Sequence, residues 1–227
     1  MTFLNSESGA VTVDWTVMTA AVVGLGIATL GVVSGGVESL ANDTDTRLRS
    51  DWIIRTSFGE RIIGEMDFTG GDSGGWVGGT VMAPLAALDE MLVLGPQETA
   101  SVTLDVPPDA KTATLSFDLI GGDSLDNEVA TITTNGQTVT LARGRHQNGS
   151  MTFTTPDVEG VTVTTETISS GTNLGGAIHS HWRDSVTRVT VTLDDPGETL
   201  NLGMTSGADG PIWDEYFGID NVIVTAK

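Results

Sequence analysis

The sequence predicts a mainly β protein: a long N-terminal hydrophobic α-helix followed by an antiparallel β-sandwich of the jelly-roll kind. Three observations lead there. Residues from Trp15 to Val37 carry no charge. From about Gly64 onward the apolar residues recur with a period of two, the mark of strands with one buried face. Threonine is frequent and 29 glycines punctuate the chain, as short strands joined by tight turns require.

The chain of 227 residues suits one membrane segment and one globular domain. Its 30 acidic and 10 basic residues give a formal net charge of -20. Such a surface repels phosphates, so nucleic acid is excluded as a partner. It attracts hard cations instead. Cysteine is absent, which removes disulfides, zinc-thiolate sites and thiol catalysis together.

The uncharged run is long enough to cross a hydrocarbon core of about 30 Å as a helix. It is rich in Ala20, Ala21, Gly24, Gly26, Ala28, Gly31 and Ser34, small residues that let helices approach closely. It therefore reads as a helix built to pack on other helices. Asp14 stands at its edge, where a carboxylate is costly without a partner. Cleavage after Gly9 supplies one: Ala10 becomes the new N-terminus, and its amino group lies about one helical turn from Asp14.

These residues carry a resemblance. The stretch SGAVTVDW resembles the processing site of type IV prepilins, above all the short Flp-type pilins of tight-adherence (Tad) systems. Gly9, Asp14 and Trp15 fill the places of the leader glycine, the acidic fifth mature residue and the aromatic after it. The family usually has glutamate and tyrosine there. The resemblance implies a leader over 1–9 removed by a prepilin peptidase and a pilin-type helix over 10–50. It implies an inner-membrane precursor that assembles through these helices into a homopolymer on the cell surface.

Residues 51–63 read as a connector and 64–227 as the sandwich. Alternation marks ASVTLDV at Val102, Leu104 and Val106, and TATLSFDLI at Ala113, Leu115, Phe117 and Leu119. Asn135-Gly136 between two alternating runs predicts a hairpin with a type I′ turn. Further strands are predicted at GVTVTTETI, SVTRVTVTL, ETLNLGMT and GIDNVIV.

Three acidic stretches interrupt the strands. GEMDF contributes Glu65 and Asp67, and GGDSLDNE contributes Asp123, Asp126 and Glu128. GADGPIWDEYFGIDN holds Asp209, Asp214, Glu215 and Asp220, of which Asp214 and Asp220 are the expected ligands. Calcium takes six to eight oxygens, and flexible acidic loops supply them. The spacing is not that of an EF-hand. The strings GWVGG, DSLDNE and DEYFGIDNVIV also resemble bacterial extracellular jelly-roll domains related to carbohydrate-binding and laminin-G-like sandwiches. That resemblance implies calcium at Asp123, Asp126, Glu128 and Asp220, with Leu125 where the family more usually has tryptophan.

A surface glycan would need exposed aromatic residues, and Trp76, Trp182, Trp213 and Tyr216 are available. Aromatics dominate core energetics, so most are expected in packing. Catalysis finds little support. His179 and His181 alternate on one strand face without a third ligand, and His146 stands apart. The GDSGG string at Gly71–Gly75 is like a protease nucleophile loop but lacks a preceding His and Asp. The expectation is a non-enzymatic filament subunit displaying a calcium-stabilised, adhesive sandwich. The alternative is a membrane-tethered carbohydrate-binding module that does not polymerise.

Overall fold

The computed structural model describes residues 15–29, 33, 37, 60–145, 149–175 and 183–227. The chain divides into two compact units, Met1–Ser57 and Phe58–Lys227. Gly9, Ala10, Asp14, Trp182, the three histidines and most of the expected connector lie outside the described residues.

In the first unit, residues 15–29, 33 and 37 are helical. Thr19 and Thr29 turn their hydroxyls back to the carbonyls of Trp15 and Leu25, which satisfies them within the helix. Among the described residues no helix is long and apolar enough to cross a membrane.

The second unit is an antiparallel β-sandwich. Its described strands are β1 (Arg61–Met66), β2 (Thr80–Met82), β3 (Met91–Leu94), β4 (Thr99–Asp105), β5 (Thr112–Asp123) and β6 (Val129–Thr134). They continue as β7 (Gln137–Arg145), β8 (Ser150–Thr154), β9 (Val161–Thr172), β10 (Asp184–Asp194), β11 (Thr199–Thr205) and β12 (Glu215–Ala226). One sheet runs β2-β3-β12-β5-β10-β9, with β1 also paired to β12, and the other runs β4-β11-β6-β7-β8. β12 is long enough to take two partners end to end: its first half pairs with β3 and its second half with β1.

The alternating runs become strands as expected, and their apolar faces meet between the sheets. Leu115, Phe117 and Leu119 of β5 join Val189 and Val191 of β10, Leu200 and Leu202 of β11, and Phe217 and Ile219 of β12 in one core. Each such side chain contributes about 1.5–3 kcal/mol of burial. Asn135 and Gly136 both take positive φ, 47° and 79°, as the β6–β7 hairpin turn requires. Four strands are not predicted by the alternation. β3, sequence MLVL, has no polar alternation because it is buried on both faces. Leu92 and Leu94 enter the main core, while Met91 and Val93 enter a second cluster with Leu85, Ile120, Val186 and Tyr216. β1, β2 and β8 are the other three. β1 opens at Arg61, so residues 61–63 belong to the sheet and not to the connector.

Two local features shape the acidic end and face of the sandwich. A register shift between β12 and β5 falls after Asp220, and Asn221 takes φ 50°. Ile219 and Val222 both enter the core as a result, and the two polar residues between them are left for the opposite face. At the end of β5, Leu125 folds back into the core. A Cβ on Gly144 would stand 2.6 Å from that of Leu125. The absence of a side chain there lets leucine fill the place beneath the acidic turn.

Candidate metal centre and acidic face

The antiparallel pairing brings the end of β5 beside the starts of β10 and β12. Glu215 pairs with Asp123, and Ser185 with Gly121. The turn after β5 and the loop before β12 are tied together. Ser124 donates its hydroxyl to the Asp214 carboxylate at 3.1 Å, and its N–H to the Asp214 carbonyl at 3.1 Å. Glu215 accepts the N–H groups of Asp209 at 2.6 Å and Gly210 at 2.5 Å. Glu128 accepts the N–H of Asp126.

Glu128, Asp209 and Glu215 each present a carboxylate oxygen, all within 4.8 Å of one another. That separation is about twice a calcium–oxygen bond, so three oxygens of this kind can share one ion. Burial pushes the Glu128 carboxyl above its usual range, its backbone hydrogen bond opposes this, and the charge of Glu215 adds to the rise. A bound cation would reverse it.

Asp184, at the head of β10, is silent in the sequence because it is a lone carboxylate before an ordinary strand. It is 1% exposed. Its oxygens accept the N–H of Asp123 at 2.9 Å and of Leu174 at 2.7 Å. Burial raises its pKa, opposed by those two donors. Next to it lies Tyr216, whose hydroxyl is buried without a hydrogen-bond partner. Such an orphan costs about 1–3 kcal/mol. Burial raises the phenol's pKa, and the charges of Asp123 and Asp184 raise it further.

The expected ligand set therefore divides. Asp123, Asp126, Glu128 and Asp214 share the end of the sandwich, together with Asp184, Asp209 and Glu215. Asp220 lies apart, in a row across three strands of the seven-stranded sheet, where Asp220 pairs with Asp118 and Asp118 with Arg188. Arg188 grips Asp118 with two bonds of 2.9 and 3.0 Å, and the Asn221 amide donates to Asp118 at 3.1 Å. Asp220 accepts the N–H of Asn221 at 2.7 Å. Asp67 is exposed and accepts the N–H of Thr69 at 3.1 Å. Glu65 is exposed on β1. One ion cannot take all seven expected ligands, because the strand length separates the two groups.

Burial pushes the Asp220 carboxyl from 3.8 up to about 6; its bond to Asn221 opposes this, while the charges of Asp118, Asp67 and Asp89 add to it. The folded state thus holds this proton more tightly than the unfolded chain. Stability is gained as pH falls through about 6 and is complete below about 4, worth up to about 3 kcal/mol. Glu128 and Asp184 shift in the same direction. Thermal melts in chelator should show a higher midpoint at pH 5 than at pH 7. Asp220→Asn should remove part of that difference, and a midpoint independent of pH would refute the assignment.

The aromatic candidates also divide. Trp76 is 7% exposed and lies in the core against Leu115, Phe117, Leu202 and Ile219. Burial in the core takes it out of reach of a surface glycan. Trp213 is 62% exposed. Its turn is held by the Asp214 N–H on the Pro211 carbonyl at 2.7 Å, and Ile212 packs beneath against the second cluster. GDSGG is a turn in which the Gly74 N–H reaches Asp72 at 2.9 Å and the Trp76 N–H reaches the Ser73 carbonyl at 3.0 Å.

No protein-family model and no curated protein matches the chain. Among solved structures it is similar to the K3 cleaved adhesin domain of Lys-gingipain from Porphyromonas gingivalis, with TM-score 0.44 and 12% identity over 72% of this chain and 98% of that one. It is similar to TmCBM61, solved with β-1,4-galactotriose, with TM-score 0.31 and 8% identity over 75% of this chain and 90% of that one. It is also similar to the C-terminal CBM6 of LamC, a marine laminarinase from Zobellia galactanivorans, with TM-score 0.32 and 12% identity over 74% of this chain and the whole of that one. At these identities and TM-scores the likeness carries no argument about function, and the antiparallel sandwich is established by its own strand pairing.

Proposed function

We propose that the chain is a structural subunit of an extracellular type IV/Tad-like filament. Its N-terminal helix packs on copies of itself, and its sandwich is displayed on the surface, stabilised by calcium and serving adhesion. The observation that carries this is the helix's apolar surface. Trp15, Val17, Met18, Val22, Val23, Leu25 and Ile27 are each 54–70% exposed. At 3.6 residues per turn they point to every side of the helix. A helix apolar all round is stable only when surrounded by apolar material. Gly24 and Gly26, on nearly opposite sides of the helix, each have open space around them, so a helix backbone can approach from either side. The precursor would sit in the inner membrane, be cut by a prepilin peptidase before Ala10, and then polymerise.

The test is N-terminal sequencing of material sheared from cells, with imaging of the same fraction. A mature chain beginning at Ala10 within filaments is expected. An intact Met1 confined to membranes would overturn the filament reading.

A second reading is favoured by Trp213. This exposed indole on a pinned turn, beside carboxylates that accept hydroxyl hydrogen bonds, suits a neutral glycan in a membrane-tethered, non-polymerising binding module. Binding to a glycan array that is lost in Trp213→Ala would support it. No catalytic role is proposed.

A further inference from the structure

The two outer faces of the sandwich differ in charge. Register sets Thr99, Thr205, Thr131, Leu141 and Thr154 side by side across the five-stranded sheet. Their strand neighbours Ala100, Met204, Ala130 and Ala142 enter the core, so this row faces outward. The strands of this sheet carry three charged residues, Asp105, Arg143 and Arg145, all exposed and all at strand ends. Among the described residues, ion pairs join Arg61 to Asp109 and Arg188 to Asp118. Arg143 and Arg145 belong to neither.

The seven-stranded sheet is the reverse. Ala113, Leu115 and Phe117 of β5 face the core, so Asp118 faces outward. Register places Asp220 opposite Asp118, and Arg188 opposite both Asp118 and Glu166. By the same alternation Glu65 and Asp194 point outward, and Glu65, Glu166 and Asp194 are exposed. The outward arginine, Arg188, is already bound to Asp118 at 2.9 Å. Between these carboxylates lie threonines such as Thr164 and Thr190, which are paired across β9 and β10.

We infer that the sandwich docks on a second copy of this chain, the outer face of the five-stranded sheet of one copy on the outer face of the seven-stranded sheet of the next. This rests on the filament reading. At a net charge of -20 two copies repel, so they approach with least cost where carboxylates are sparsest. A centre free of charge is what marks an interface core, with charged residues left to the rim. Arg143 and Arg145 at one rim complement Glu65, Glu166 and Asp194 at the other, which selects this pairing of faces. Either face docked on itself would set like charges together. Because the two faces lie on opposite sides of each sandwich, the contact is head-to-tail. It leaves a fresh face after every addition, as an extending filament requires.

The chain has no cysteine, so thiols can be placed one at a time. The test treats sheared filaments of full-length Thr131→Cys, Thr164→Cys and the double variant with a flexible bis-maleimide. The double variant should give a ladder of covalent oligomers, and each single variant should remain monomeric. In a second arm, Arg143→Glu with Arg145→Glu should lower the sheared polymer about tenfold or more. Adding Glu166→Arg and Asp194→Arg to the same chain should restore it, because the charges are then exchanged between the faces. Melting midpoints of these variants establish that the sandwich stays folded. Dimers from a single-cysteine variant, filaments without a ladder, or a folded charge-swapped variant that does not recover polymer would each overturn the docking and leave the filament reading standing. A parent that makes no polymer would overturn both.

Discussion

Gly9→Val and Asp14→Ala should each leave cells without filaments while the sandwich stays folded. On the filament reading proposed above, valine at the last leader position would obstruct cleavage, so the Ala10 amino group would not be released. Asp14→Ala would permit cleavage but leave that positive charge inside an apolar helix bundle without its counter-charge. Removing one partner of a buried pair costs about 3–5 kcal/mol. At 1.4 kcal/mol per tenfold, a loss of that size lowers subunit affinity by at least about a hundredfold. The sheared fraction should contain no polymer by electron microscopy for either variant. The unit Phe58–Lys227 is compact in itself, so its melting midpoint should be unchanged. Normal filaments from both variants would refute the assembly mechanism.

Arg188→Met should be the most damaging substitution of a charged residue in the sandwich. Asp118 is 5% exposed and Asp220 is 9% exposed. Arg188 is the cation that pairs with Asp118, and its own side chain is 29% exposed. Its loss leaves two buried carboxylates side by side. Solvent reaching the arginine moderates the effect, so the cost at neutral pH is about 2–4 kcal/mol. For a unit of this size that lowers the midpoint by about 5–15 °C. The deficit should shrink at pH 5, where Asp220, pushed up to about 6, carries a proton. Arg188→Met combined with Asp118→Leu should recover much of the loss, since an apolar pair replaces an ionic one at low cost. A single variant that melts within a degree of the parent would show that the pair contributes nothing.

The proposed filament assembly and the stability of the sandwich rest on different links between sequence and function. The assembly we propose would depend on residues whose meaning is local: a glycine, an acid one helical turn from the proposed new terminus, and an apolar run. Stability of the acidic row depends on Arg188, which the sequence presents as one charge in an otherwise ordinary strand. Its importance comes only from register, which sets it opposite Asp118, and Asp118 opposite Asp220.

The residues alone suffice for the class of the sandwich, the strands β4 to β7 and β9 to β12, the Asn135-Gly136 turn and the presence of an N-terminal helix, though among the described residues no helix has the length and apolarity expected of a membrane span. Each is written in short-range patterns: period-two alternation, turn residues that accept positive φ, and an uncharged run. That β3 is a strand emerges only once the chain is folded, because a segment covered on both faces has no polar side to alternate. Folding also places Trp76 in the core and leaves Trp213 in solvent, since the two tryptophans differ in what packs over them. It sorts the acidic residues as well, drawing Asp184, Asp209 and Glu215 to the loop end and leaving Asp220 mid-sheet. Carboxylates far apart along the chain meet through strand pairing and loop closure, and neither leaves a mark on the residues beside them.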